Sequence, residues 1–269
     1  MTEAVPEATW DGEDRMIVAG SRLLQNHSVV FAGVGAPLLA SALAHRLHSP
    51  DLTIVLEGGF IGPRMVPGKL PISTNEMRAA HRAVMLTGII DAFLYSQRGC
   101  YDYGFVGAAQ IDRYGNVNTS VIGTMDRPKV RLPGSGGAND IASSCRELLV
   151  ITRHEARRFV ERVDFITSPG YLEGGDAREH AGLVLGRPRW VITDLAVLGF
   201  EPQTKEMRLE KVQPGVTVEQ VASATGFDLI IPDTVAELDP PTDEEMQTLA
   251  SLRGTTTLAG QEKEKVVTG

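Results

Sequence analysis

The stretch SVVFAGVGAPLLASALAHRLHSPDLTIVLE, residues 28–57, decides the fold. It opens with an apolar run that closes on glycines. APLLASALAHRL (36–47) follows with apolar residues at helical spacing and Pro37 in the first turn, where a missing N–H does no harm. Ser49 and Pro50 break that helix, and DLTIVLE (51–57) is a second apolar strand that ends on a carboxylate. A strand, a helix and a strand within about 30 residues have the length of a right-handed parallel crossover, so the sheet is expected to be open and parallel here.

Upstream, EDRMIVAGSRLLQ (13–25) sets Met16, Ile17, Ala19, Leu23 and Leu24 on one helical stripe. Downstream, the Gly- and Pro-rich residues 58–75 read as a loop, and NEMRAAHRAVMLTGIIDAFLYSQ (75–97) as one or two helices. YGFVGAAQI and NVNTSVIG form a hairpin around the turn Asp112–Asn116. GSGGANDIASSC (134–145) is a glycine loop running into a short helix, and ELLVITR (147–153) and RWVITDLAVLGF (189–200) are one buried strand each. Thr217 caps a short helix, and Thr242, followed by acids, opens a last one over 241–252. No internal repeat or linker is visible. The expectation is a single α/β domain over 13–253, an open, mostly parallel sheet flanked by helices with some antiparallel strands. It lies between a flexible N-terminus (1–12) and a polar tail (254–269).

At 269 residues and 42% hydrophobic, the chain can bury a sizeable core. Its net charge of −8, with cations interleaved among acids and apolar residues, argues against nucleic acid or a membrane surface as partner. Cys100 and Cys145 form no CxxC pair, so neither a disulfide scaffold nor a zinc site is expected. MTEAVPEATWDGED lacks the basic and apolar regions of a signal peptide, and no run nears the roughly 18 apolar residues of a membrane span. A cytoplasmic protein with free thiols is expected.

Several stretches could carry chemistry. GVGAPL, with Gly33 and Gly35, opens like a dinucleotide fingerprint, and Glu57 follows at about the 20-residue distance of a ribose-binding acid. Leu38 stands where that fingerprint needs Gly or Ala, so the glycines serve either a nucleotide or simply a tight strand-to-helix turn. GSGGAND offers consecutive amides at a helix start, suited to an oxyanion or a phosphate, or to a structural turn. It lacks the GK[ST] of a P-loop, and Pro133 occupies the place of the first Gly of a nucleophile elbow. HEARR (154–158) has no second His four residues on and reads as a solvated polar turn. His27, His45, His48, His81 and His180 are scattered and read as surface or cap residues. Asp194 interrupts its strand as a carboxylate satisfied by backbone donors. Gln110, Asp112 and Asn116 serve the turn, or Gln110 faces a substrate. Glu57 itself has three readings: an acid facing water, an acid holding a ligand, or a nucleophile.

The succession GVGAP, VLEGGFIG, GAAQIDRYGNVN, RLPGSGGANDIA, RRFVERVDFITSPG, WVITDLAVLGF and ATGFDLIIP runs in order from about residue 15 to about 235. It resembles the β subunit of class I CoA-transferases, most closely that of the glutaconate CoA-transferases. The resemblance implies that Glu57 is the nucleophile of a ping-pong transfer of CoA from an acyl-CoA thioester to a carboxylic acid, through a glutamyl-CoA thioester. It implies further that Gly136, Gly137 and Ala138 offer amides to the thioester oxygen, with Gln110 beside the thioester, and that Gly58 and Gly59 leave room for a bulky substrate. No metal and no tightly bound cofactor are implied; coenzyme A enters as substrate. A separately encoded α subunit is implied, in a heterotetramer or larger oligomer, with this chain inert alone. Relatives on the same fold hydrolyse, ring-open or decarboxylate CoA thioesters, and a nucleotide-binding or non-catalytic regulatory subunit is a further alternative. The acid is left as a short dicarboxylic or branched one. Arg64 and Lys69 either meet a second carboxylate or the CoA phosphates, or are solvated.

Overall fold

The computed structural model describes residues 11–254. The expected tail from 255 and all but the last two residues of the expected flexible N-terminus lie outside the described residues. Asp11 and Gly12 belong to the fold: the Asp11 carboxylate accepts the Asp14 N–H at 2.8 Å and caps α1 (Gly12–Arg22).

The crossover forms as its sequence dictates. β1 (Val29–Phe31), α2 (Ala36–Leu47) and β2 (Thr53–Leu56) follow one another, and β1 pairs with β2 in parallel from Val29↔Thr53 to Phe31↔Val55. Gly35, at φ +81°, supplies the left-handed step into α2. β2 then reverses through Glu57 and Gly58 into β3 (Phe60–Ile61), with β4 (Met85–Leu86) beyond it at the sheet edge.

Of residues 75–97, expected as one or two helices, only the second half is α-helical. A single 3₁₀ turn (Met77–Ala80) precedes β4, and only α3 (Ile89–Gln97) is α-helical. The reason is pairing: the N–H groups of Val84 and Thr87 donate to Ile61 and Gly59 at the exposed side of β3, and a tertiary ladder overrides local helix propensity.

β5 (Tyr103–Val106) lies parallel to β1. Of the expected hairpin only the part next to the turn forms, β6 (Gln110–Ile111) with β7 (Val117–Asn118), its turn closed by Asp112, whose Oδ1 accepts the N–H groups of Tyr114 and Asn116 at 3.0 Å each. A second hairpin, β8 (Val121–Gly123) with β9 (Pro128–Arg131), leads into the glycine loop and α4 (Ala138–Ser144). β10 (Glu147–Ile151) pairs with β5, and the one-turn α5 (Ala177–His180) follows.

The stretch 189–200 is two strands rather than one. β11 (Arg187–Ile192) and β12 (Ala196–Phe200) run antiparallel, because the Thr193 hydroxyl accepts the N–H groups of Leu195 and Ala196 and turns the chain. β13 (Met207–Val212), α6 (Val218–Ser223) behind its Thr217 cap, β14 (Ala236–Glu237) and α7 (Asp243–Arg253) behind its Thr242 cap complete the fold.

The result is a ten-stranded sheet ordered β14-β13-β12-β11-β10-β5-β1-β2-β3-β4, parallel from β11 through β2. Alternation along the strands feeds two cores. Ile54, Leu56, Leu149 and Ile192 face α1, α2 and α7, with Ile17, Leu43 and Leu249 against them. Phe31, Val55, Leu148 and Val191 face the other side, with Ile111, Ile141 and Phe159.

Candidate active site

Glu57 stands where the parallel sheet ends. The Gly59 N–H donates to the Leu56 carbonyl at 2.9 Å, so Glu57 and Gly58 are the two central residues of a tight turn. Glu57 is half-buried, and among the described residues its carboxylate has no hydrogen bond or ion pair. A turn built this tightly fixes the backbone and leaves the carboxylate unengaged.

The two glycines have a packing reason within the chain itself. A Cβ on Gly59, at φ +89°, would stand 2.1 Å from the Thr87 carbonyl oxygen, and one on Gly58 would stand 2.7 Å from that of Thr74. They admit the chain's own segment 74–88.

The glycine loop does meet Glu57. A Cβ placed on Gly137 would lie 3.2 Å from Glu57 Oε1 and 2.4 Å from Cζ of Phe93, so the carboxylate and an aromatic ring share the space that the missing side chain leaves. Phe93, on α3, also packs on Phe31 with centroids 5.6 Å apart. Nothing local in the sequence marks Phe93; its place beside Glu57 arises from the fold. The Gly136 and Gly137 amides make no hydrogen bond to a described residue, whereas the Ala138 N–H donates to Ser135 O at 2.9 Å. The loop therefore offers two amides, and the expected third donor, Ala138, is already engaged.

Neighbouring strand ends are bare as well. A Cβ at Gly33, after β1, or at Gly107, after β5, would meet nothing within 4 Å, and neither residue has a positive φ. Packing and conformation leave both free to carry a side chain, yet both are glycine. Gly35 likewise has open space around it, though its φ also calls for glycine. Since β5, β1 and β2 are adjacent, Gly107, Gly33 and Glu57 follow one another along the same sheet edge.

Gln110 is buried and held by the chain itself. Its oxygen accepts from Asn118 Nδ2 at 2.7 Å and from the Asp164 N–H at 3.1 Å, and its nitrogen donates to Asp164 at 3.2 Å. This amide braces the β6–β7 hairpin. Arg64 is carried away from Glu57 by the reversal into β3 and lies against His45 in the last turn of α2, while Lys69 is exposed.

His154 is not in a solvated turn. It is buried, stacked on Phe159 with centroids 3.9 Å apart, and its ring nitrogens pair with the Thr193 and Thr225 hydroxyls at 3.1 and 3.0 Å. Burial pushes its pKa down to about 4. Asp194 accepts the His154 N–H at 2.7 Å, the backbone satisfaction expected of it. Cys145 is buried beside Ser96, its thiol pushed up to about 12 by desolvation, while Cys100 is exposed. Among the described residues no group of three His, Cys, Asp or Glu side chains could hold a metal ion, and no helix is long and apolar enough to cross a membrane.

Comparison with known proteins supplies the family. A sequence model of the coenzyme A transferase family matches residues 14–224. The B subunit of 3-oxoadipate CoA-transferase from Pseudomonas knackmussii is 41% identical over 94% of this chain and 96% of its own. The B subunit of glutaconate CoA-transferase from Acidaminococcus fermentans is 35% identical over 86% of this chain and 88% of its own, so the 3-oxoadipate relative, not the glutaconate one, is the more similar of the two. The crystal structure of the Acidaminococcus fermentans glutaconate enzyme superposes with a TM-score of 0.83 at 33% identity, covering 90% of this chain and 94% of that one. The decarboxylase AibA/AibB, at 22% identity and a TM-score of 0.78 over 91% of this chain and 95% of its own, shares the fold. With a family match over most of its length and close relatives along nearly all of it, the chain belongs to the coenzyme A transferase family.

Proposed function

We propose that residues 13–253 are the B-type catalytic domain of a two-chain CoA-transferase, and that Glu57 is its nucleophile. The observation that carries this reading is the placement of an unengaged carboxylate at a rigid strand end, directly beside the bare backbone of Gly137.

In the reaction so read, a Glu57 oxygen attacks the thioester carbonyl, and the C–S bond breaks to give an acyl-glutamyl anhydride and CoA thiolate. The thiolate then attacks the glutamyl carbonyl, releasing the first carboxylate and leaving a glutamyl-CoA thioester. An acceptor carboxylate attacks that thioester, and the same two steps in reverse return Glu57 and a new acyl-CoA. A carboxylate is a weak nucleophile that needs close placement, which the turn provides. The Gly136 and Gly137 amides are the donors for charge growing on the carbonyl oxygen; one such donor is worth about 3 kcal/mol. Gly33, Gly35 and Gly107 leave the sheet edge low enough for the acyl and pantetheine chains to lie along it.

Two relatives are named for diacids, 3-oxoadipate and glutaconate, and we read the acceptor as a short dicarboxylic acid. The partner is a separately encoded A-type chain: the relatives are named as B subunits, and the AibA/AibB fold relative carries a two-part name.

The test is peptide mass mapping of the chain, purified with its partner and mixed with acyl-CoA thioesters in the absence of acceptor acid. A CoA-sized adduct on the Glu57 peptide, lost in Glu57→Gln, is expected. Consumption of thioester to hydrolysed, ring-opened or decarboxylated product with no adduct would overturn transfer in favour of hydrolase, ring-opening or decarboxylase chemistry.

A further inference from the structure

A cavity of about 730 Å³ lies away from Glu57. Its walls are the start of β10, the start of β11, the end of β12 and the chain around α5. Because β12 runs antiparallel to β11, these ends share the N-terminal edge of the parallel strands, opposite the edge that carries Glu57.

Its charge is unlike that of the molecule. The chain carries −8, yet five basic side chains line this cavity against three acidic ones, so the local balance is cationic. Arg187 and Arg189 are exposed and have no ion-pair partner among the described residues; Arg189 lies 4.4 Å from the ring centroid of Trp190. One of the acids, Glu201, is turned into its own bend, accepting the N–H groups of Gln203 and Thr204 at 2.7 and 2.6 Å. It is already engaged away from the arginines.

Behind them is Arg178, only 3% exposed. Its Nη1 and Nη2 donate to the carbonyls of Pro169, Gly170, Ala142 and Leu185, its Nε has no partner, and no carboxylate among the described residues pairs with it. Desolvation lowers its pKa to about 10, as for a guanidinium whose charge is not compensated nearby. A buried cation without a counter-charge is costly, and an anion in the adjoining cavity would reduce that cost. Two aromatic rings line the same cavity: Tyr171 and Phe200 meet edge to face at 5.3 Å, and the Tyr171 hydroxyl donates to the carbonyl of Pro188, between the two arginines, at 2.9 Å.

We propose that this cavity binds a phosphate ester of mononucleotide size, its phosphate on Arg187 and Arg189 in the field of Arg178 and its ring against Tyr171 and Phe200. The volume is within the range of about 300–1,000 Å³ for small-molecule sites, and guanidinium forks match phosphate oxygens. A ligand held across the sheet from Glu57 would be a regulator rather than a substrate.

The experiment is calorimetric titration of the full chain, with its partner, using ADP and adenosine as probes. ADP is expected to bind with a Kd below about 1 mM and adenosine about tenfold more weakly. Arg187→Ser/Arg189→Ser should weaken ADP about tenfold at unchanged urea midpoint and unchanged acyl-CoA turnover, while Glu57→Gln leaves this binding intact. Arg187→Glu alone is the second probe should the double variant fold poorly. No heat from ADP, equal affinity for adenosine, or ADP binding unaltered by the arginine changes would overturn the proposal; the last result would place ADP on the Glu57 edge. Binding is the readout, so this result and the adduct on Glu57 can fail independently.

Discussion

The space beside Gly137 is shared by Phe93 and the Glu57 carboxylate and has no room for a methyl group, which makes Gly137→Ala informative. The new Cβ would stand 2.4 Å from Cζ of Phe93, which must shift, and 3.2 Å from the carboxylate, which must give by a few tenths of an ångström. Turnover should fall about tenfold, a misplacement of about 1 Å being worth about 100-fold, with a smaller change in the urea midpoint. A turnover equal to wild type would show that the carboxylate does not act from its place beside Gly137. Glu57 and the 134–137 glycines were legible because each is a short local signal, an acid closing an apolar run and a glycine cluster before a helix. What Gly58 and Gly59 are for was not legible, since the atoms that exclude their side chains belong to residues 74 and 87. Phe93 and the engagement of Ala138 by Ser135 were hidden for the same reason, as contacts only the folded chain makes.

The joint between β10, the β11–β12 turn and the end of α6 is closed by His154, and this makes the joint sensitive to acid. Its ring sits between Thr193 and Thr225 with a folded pKa of about 4, against 6.5 for an exposed imidazole. The unfolded chain therefore binds the proton first as pH falls. The contribution is fully present above about pH 6.5 and is lost progressively as the pH drops toward 4. The difference corresponds to about 3 kcal/mol at the acid end. Urea midpoints should decline through that window, and His154→Gln, less stable at neutral pH, should decline less steeply; parallel slopes would mean another group carries the acid sensitivity. Elements were legible where their pattern is local, as in the crossover 28–57 and the Thr217 and Thr242 caps. They were not legible where a reversal takes two or three residues: the apolar run 189–200 masks the turn at Thr193, and Met85 and Leu86, within a stretch that looks helical, pair with β3.

The order of the ten strands, with β12 to β14 on one side of the parallel block and β3 and β4 on the other, is announced by no spacing and could come only from the folded chain. Of the two edges that order leaves, the one at β4 exposes apolar side chains among the described residues. β4 is the last strand on the Glu57 side, and the segment around it exposes Ile72, Met77, Val84, Leu86 and Ile90, with Val84 84% and Ile72 82% exposed. Scattered apolar side chains are ordinary on a surface, but these are gathered between residues 72 and 90, next to the Thr87 carbonyl that packs on Gly59. An edge strand of this kind invites pairing or cover. If the transferase needs a second chain to complete its site, that chain has reason to cover this flank, where it would also wall the space around Glu57. Leu86→Asp/Ile90→Asp should then abolish co-purification with the A-type partner and the associated turnover while leaving circular dichroism and the urea midpoint of the isolated chain close to wild type. A heteromer of unchanged mass by light scattering, formed by the double variant at wild-type yield, would move the partner to another face and leave the apolar flank without this explanation.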